Sequence, residues 1–186
     1  MLKHGKYSLR PIRQEDLSTL LAWRNSERIT SEMLTSHEIT WEEHEAWFQR
    51  FRQHDPLRHF VFCYEDRAIG YMGFSDWDEE NKRCSSSSYI GAVTDVPIDA
   101  GLFVDYLGLE YIFSRTEINK VWSYVFAHNK RAYKLNLLLG YKEEGYLRQH
   151  FLQHGEFQDV HVIGILRSEW QREKERLDHL YGGAEV

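Results

Sequence analysis

The chain has 186 residues, 42% of them hydrophobic and 28% charged, which is the size of one ordinary globular domain with enough apolar material for its own core. Its 23 Lys and Arg against 29 Asp and Glu leave a formal charge of −6 with no basic block, so the electrostatic footprint of a nucleic-acid binder is missing. Six Trp, 11 Tyr and 10 Phe beside only 3 Pro exclude a disordered chain, because such a composition buries enough apolar area to offset chain entropy.

In chain order, Tyr7-Ser-Leu-Arg-Pro alternates as a short strand, and Gln14-Glu-Asp opens a helix carrying Leu17, Leu20, Leu21 and Trp23 at helical spacing. Residues 25–39 read as loop or short helix. Thr40-Trp-Glu-Glu43 has the pattern of a capping box, and the helix behind it presents Trp47, Phe48 and Phe51 until Asp55-Pro56 stops it. His59–Tyr64 and Ala68–Ser75 form a hairpin pattern around Glu65-Asp-Arg67, and Ser85–Val93 is a further strand. A mostly buried helix spans Asp99–Ser114, followed by an apolar strand over Val121–Ala127. Asn129 caps the next helix and Gly140 ends it; two strands follow, Tyr146–Leu152 and Phe157–Leu166, and a charged helix from Ser168 frays into Gly182-Gly183. The order implies an α/β (α+β) fold with a mixed central sheet flanked by helices. Residues 1–170 read as one domain, and 171–186 as a charged C-terminal helix and tail.

Cys63 and Cys84, far apart in strand-like segments, are expected to be free core thiols in a reducing compartment. No apolar run suits a signal peptide or a membrane span, so a cytoplasmic protein with no membrane partner is expected. No metal is expected: His37-Glu38 is followed by Trp41 where a zinc helix needs a second His, and His150 and His154 lie too far apart along strand and turn. The strand-to-helix turn ahead of Asp99, with Gly101 in the first helical turn, is a candidate phosphate cradle.

Several pieces carry a resemblance. Leu9-Arg-Pro-Ile12 with Glu15-Asp-Leu17, Asn129-Lys-Arg-Ala132 with Gly140-Tyr141, and the closing Gly155–Val160 and Gly164–Trp170 resemble, in order, the GNAT superfamily of acetyl-CoA-dependent N-acyltransferases. The closing pieces are similar to the branch containing the ribosomal-protein N-terminal acetyltransferases. Trp23-Arg-Asn25, Met33, Thr35 and Glu42-Glu-His44 through Trp47 resemble the acetyltransferases that modify a UDP-linked 4-amino-4,6-dideoxy sugar on the way to pseudaminic acid.

The resemblance implies a GNAT-type fold and acetyl transfer from acetyl-CoA to a primary amine by direct attack, the leading acceptor being a nucleotide-linked aminosugar. A protein N-terminal amine is the alternative acceptor, and a non-catalytic acyl-CoA or nucleotide binder is the alternative class. It places the co-substrate on Ile90, Gly91, Ala92, Val93, Asp99, Ala100, Gly101, Asn129 and Ala132, with N–H groups near Ile90–Ala92 stabilising the oxyanion. The acceptor falls on Arg24, Asn25, Met33, Thr35, His44 and Trp47. No metal or nucleic acid is implied, and a homodimer is the assembly expected. The usual glutamate base position holds Ser88, which orders water, and the usual tyrosine acid position holds Asn136. His44 is then the side chain whose intrinsic pKa of about 6.5 suits a base, with a rate limb through roughly pH 6–7. Asp99 is a departure from the family pattern, a carboxylate where pyrophosphate approaches.

Overall fold

The computed structural model describes residues 2–54 and 57–181. The stop expected at Asp55-Pro56 and the fraying at Gly182-Gly183 lie outside them. The elements are β1 (Leu2–His4), β2 (Tyr7–Pro11), a short turn of helix (Gln14–Asp16), α1 (Leu17–Arg24), α2 (Glu27–Thr30), α3 (Trp41–His54), β3 (His59–Tyr64), β4 (Arg67–Asp78), β5 (Arg83–Ile90), α4 (Ala100–Arg115), β6 (Lys120–Phe126), α5 (Lys130–Leu138), β7 (Lys142–Gln153), β8 (Glu156–Leu166) and α6 (Arg167–Tyr181). The strand order is β1-β2-β3-β4-β5-β6-β8-β7, mostly antiparallel, with β5 and β6 parallel. The described chain falls into two compact units, one built from the chain up to Gly73 together with Ser88–Val104, the other from Phe74–Ser87 and the chain from Asp105 onward.

In the first unit, β2 pairs with β1 and β3, and β3 with β4. Leu17 and Leu20 of α1 and Phe48 and Phe51 of α3 bury their stripe against Val61 and Cys63 of β3, and Trp23, Trp47 and Tyr71 pack on that core. Thr40 and Glu43 close the expected capping box: Glu43 N–H donates to Thr40 Oγ1 at 3.2 Å and Thr40 N–H to Glu43 Oε2 at 2.8 Å. Arg10 grips Asp16 with both guanidinium nitrogens at 2.7 and 2.8 Å, tying the end of β2 to the start of α1.

Strand β5 ends at Ile90, three residues before the expected end. The N–H groups of Gly91 and Ala92 turn onto one acceptor, the Ile69 carbonyl, at 2.9 and 3.1 Å. The Trp23 ring fills the space where a Gly91 side chain would stand, only 2.1 Å from an ideal Cβ. A bifurcated acceptor and an aromatic lid stop the ladder there.

In the second unit, Asn129 Oδ1 accepts from Ala132 N–H at 3.0 Å, the expected cap of α5, and Gly140 ends that helix with a positive φ of 97°. Helix α6 begins at Arg167 and runs unbroken past residue 170 to Tyr181, so the expected division at 170 falls inside one helix. Trp170, 2% exposed, packs edge-on against Tyr106, while Arg167 donates to the carbonyls of Phe113, Thr116 and Ile118. Cys63 and Cys84 are both buried thiols, with no disulfide between them.

Candidate active site

The acceptor candidates gather where α1 ends. Arg24, 9% exposed, sends Nη2 to the Thr35 carbonyl at 2.8 Å, while its Nη1 is buried with no hydrogen-bond partner. Burial pulls the guanidinium below its ordinary pKa, and the phenols of Tyr89 and Tyr71 partly counter it; at neutral pH the group still carries its charge. Thr35 therefore takes part through its main chain. Asn25 is wholly structural in this state: its amide donates to the Ile39 carbonyl at 2.8 Å and accepts from the Ile39 N–H at 3.0 Å, clamping the loop between α2 and α3. Met33 sits in that loop, half-buried.

His44, 6% exposed, lies on α3 stacked on Trp47 at 5.1 Å. Its Nε2 is buried without a hydrogen-bond partner. In the neutral tautomer protonated at Nδ1, Nε2 presents a lone pair. Such a nitrogen accepts from an N–H or O–H; it cannot bind a phosphate oxygen. Burial lowers the His44 pKa, with a hydrogen bond to the Leu17 main chain a smaller opposing effect, so the ring is neutral at pH 7.

Three residues the sequence reading passed over complete this wall. His59 Nδ1 and Tyr71 Oη are 2.7 Å apart, Tyr71 stacks on Tyr89 at 5.2 Å, and His59 meets Trp47 edge-on. Burial raises both phenol pKa values, which keeps them as O–H donors. Gly73 makes the arrangement possible, because a Cβ there would stand 2.0 Å from Tyr71 Oη and 2.7 Å from His59 Nδ1. The Gly70-Tyr-Met-Gly73 run was the available signal, since glycines inside a strand mark close approach.

The other candidates are placed elsewhere. Side chains alternate along β5, so Ser88 shares a face with Ser86 and lies opposite Tyr89. Asn136 folds back on α5, its amide donating to the Ala132 carbonyl at 2.9 Å. The expected oxyanion donors need correction: the N–H groups of Gly91 and Ala92 are both engaged by Ile69, and the Gly91 carbonyl accepts from Arg28 at 2.8 Å. Val93 is 81% exposed and lies past the strand.

The parallel ladder of β5 and β6 pairs only Arg83–Ser85 with Lys120–Trp122, although β6 runs on to Phe126. At the start of α4, Ala100 N–H donates to Pro97 and those of Leu102 and Phe103 to the Asp99 carbonyl, while no acceptor among the described residues meets the Gly101 N–H. Among the described residues, no group of three or more His, Cys, Asp and Glu side chains is arranged to hold a metal ion.

An unpartnered helix N-terminus suits the binding of an anion. Residues 7–142 match the acetyltransferase (GNAT) domain, and the chain belongs to that family: it is an acetyl-CoA-dependent N-acetyltransferase. It is 23% identical over 158 residues to the acetyltransferase PseH of Campylobacter jejuni, covering 85% of this chain and 90% of that protein. It is 24% identical over 174 residues to the spermidine N(1)-acetyltransferase of Vibrio cholerae, covering 92% and 99%. Among solved structures, the V. cholerae spermidine N-acetyltransferase in complex with CoA and spermine superposes with a TM-score of 0.84 at 22% identity, over 90% of this chain and 99% of that one. A GCN5-related N-acetyltransferase of Brucella melitensis gives 0.73 at 19% identity, over 94% and 81%. No helix among the described residues is long and apolar enough to cross a membrane.

Proposed function

We propose that the chain transfers the acetyl group of acetyl-CoA to the amine of a nucleotide-linked aminosugar, as in the 4-amino sugars carried on UDP. The observation that carries this reading is the buried, unpartnered Nη1 of Arg24 beside the Tyr71 and Tyr89 rings. A desolvated guanidinium lacking an acceptor is a standing cost that an anionic oxygen of the acceptor removes. The same charge works against a polyamine, although the spermidine enzyme is as similar in sequence as PseH. The neighbouring aromatic rings of Trp47 and Tyr89 offer faces for a base or sugar.

In this reading His44 Nε2 accepts a proton or hydrogen bond from the acceptor amine, and the nitrogen attacks the thioester carbonyl without a covalent enzyme intermediate. Met33 and Thr35 shape the acceptor side. On the co-substrate side, residues of the β5 end and Asp99–Gly101 line the carrier, and Ser88 orders water. The test is a panel of acetyl acceptors at fixed acetyl-CoA: a UDP-linked 4-amino-4,6-dideoxy sugar, spermidine, and a peptide with a free N-terminus. The nucleotide sugar is expected to have the highest kcat/KM by at least tenfold. Turnover of spermidine or peptide with the nucleotide sugar inert overturns the proposal.

A further inference from the structure

Asp99 immediately precedes α4, the position from which an aspartate ordinarily folds over its own helix and accepts from the second or third N–H. Here it does not. Its Oδ1 instead accepts from the Tyr7 hydroxyl, 92 residues away on β2, at 2.5 Å. Tyr7 is itself held firmly: its ring is buried and stacks on Phe62 at 5.4 Å and on Phe103, in the first turn of α4, at 4.7 Å. The Asp99 main chain serves Leu102 and Phe103, and the Gly101 N–H that the side chain would have reached stays unpartnered. The carboxylate is thus within reach of a helix end it would neutralise and is turned away from it.

We propose that Tyr7 is a positioning residue for co-substrate binding: by holding the Asp99 carboxylate on β2 it keeps the α4 N-terminus open to the pyrophosphate of acetyl-CoA. Nothing in the reaction itself requires a tyrosine at this place, and the hydroxyl touches no reacting atom. Its effect is negative, removing an internal anion that would compete with the phosphate oxygens for the same N–H groups. It also accounts for how a member of this family tolerates an aspartate at the pyrophosphate turn.

The inference rests on the pyrophosphate lying at α4, so the experiment separates the two. CoA affinity is measured by calorimetry on wild type and on Tyr7→Phe, Asp99→Ala, the double variant and Gly101→Glu, with melting curves to confirm that each is folded. Tyr7→Phe retains the stacked ring and releases only the hydrogen bond; it is expected to weaken CoA binding about fivefold, the scale of a competing side-chain cap, with the acceptor KM unchanged. Asp99→Ala, which removes the side-chain cap altogether, is expected to hold affinity within about twofold alone and to restore it in the Tyr7→Phe background. A Tyr7→Phe protein with wild-type affinity, or a double variant as weak as Tyr7→Phe, overturns the role of Tyr7. Gly101→Glu puts a fixed carboxylate in the first turn, where helices accept it, and is expected to abolish CoA binding; unchanged affinity there overturns the placement of the pyrophosphate instead.

Discussion

Arg24 and His44 hold the only side-chain polar atoms found buried without a partner among the described residues, and the proposed function assigns both to the acceptor. Replacing Arg24 by Ala removes a charge-assisted contact of about 1.5–3 kcal/mol and is expected to raise the acceptor KM tenfold or more with CoA affinity within about twofold. Arg24→Lys should recover little, because an ammonium cannot serve both the Thr35 carbonyl and a second acceptor in the fork geometry. Steady-state kinetics with both substrates varied decide this, and an equal loss of CoA affinity would mark Arg24 as structural. For His44 the buried setting changes the expected pH window. A base with a lowered pKa is already deprotonated at neutrality, so the acidic limb of kcat/KM should fall below pH 6.5, lower than the 6–7 inferred from the intrinsic value. The unfolded ring takes up its proton near 6.5 before the folded ring does, so its contribution to stability is complete above 6.5 and is lost as pH falls toward the folded pKa. His44→Ala should flatten both dependences. A variant that keeps the wild-type limb leaves water ordered by Ser88 as the proton acceptor.

The strand end at Ile90 and the helix that starts ten residues later differ in how far sequence reveals them. Helix α4 was legible because Leu102, Tyr106, Leu109 and Phe113 repeat at helical spacing, and all four are buried. The capping box at Thr40, the cap at Asn129 and the stop at Gly140 were legible because each is a local hydrogen-bond or φ requirement with its own residue signature. The end of β5 was not. It depends on a carbonyl at Ile69 and a ring at Trp23, neither of which leaves a mark on residues 91–93. The same holds for the proposed site: Arg24, His44 and Trp47 stand out by residue type and spacing, but Asn25 as a loop clamp, Ser88 on the far face of β5 and the Tyr7 to Asp99 bond are pairings across the fold with no local periodicity. Gly91 offers a direct check on the β5 end. Gly91→Ala drives a methyl into Trp23 and is expected to destabilise by about 1–3 kcal/mol, a fall of roughly 2–12 °C in Tm, and to raise the acceptor KM through the neighbouring Arg24. A thermal scan showing no change in Tm would mean that the ring is free to move.

Across the molecule, the expected α/β architecture with a mixed sheet flanked by helices is present, and the family assignment covers residues 7–142. The division of the chain between its two units has a consequence for how the protein is made. Phe74–Ser87 belongs with segments that begin at Asp105, and its unit draws on β8, which ends at Leu166. Synthesis runs in one direction, so this stretch leaves the ribosome roughly 40 residues before the end of β6, its parallel sheet neighbour, an interval of about 2–8 s at ~5–20 residues per second. During that time Phe74 and Cys84, both 1% exposed or less in the finished protein, have no interior to enter. The serine run that separates them from Tyr89 keeps the waiting strand polar, which limits its appeal to other nascent chains.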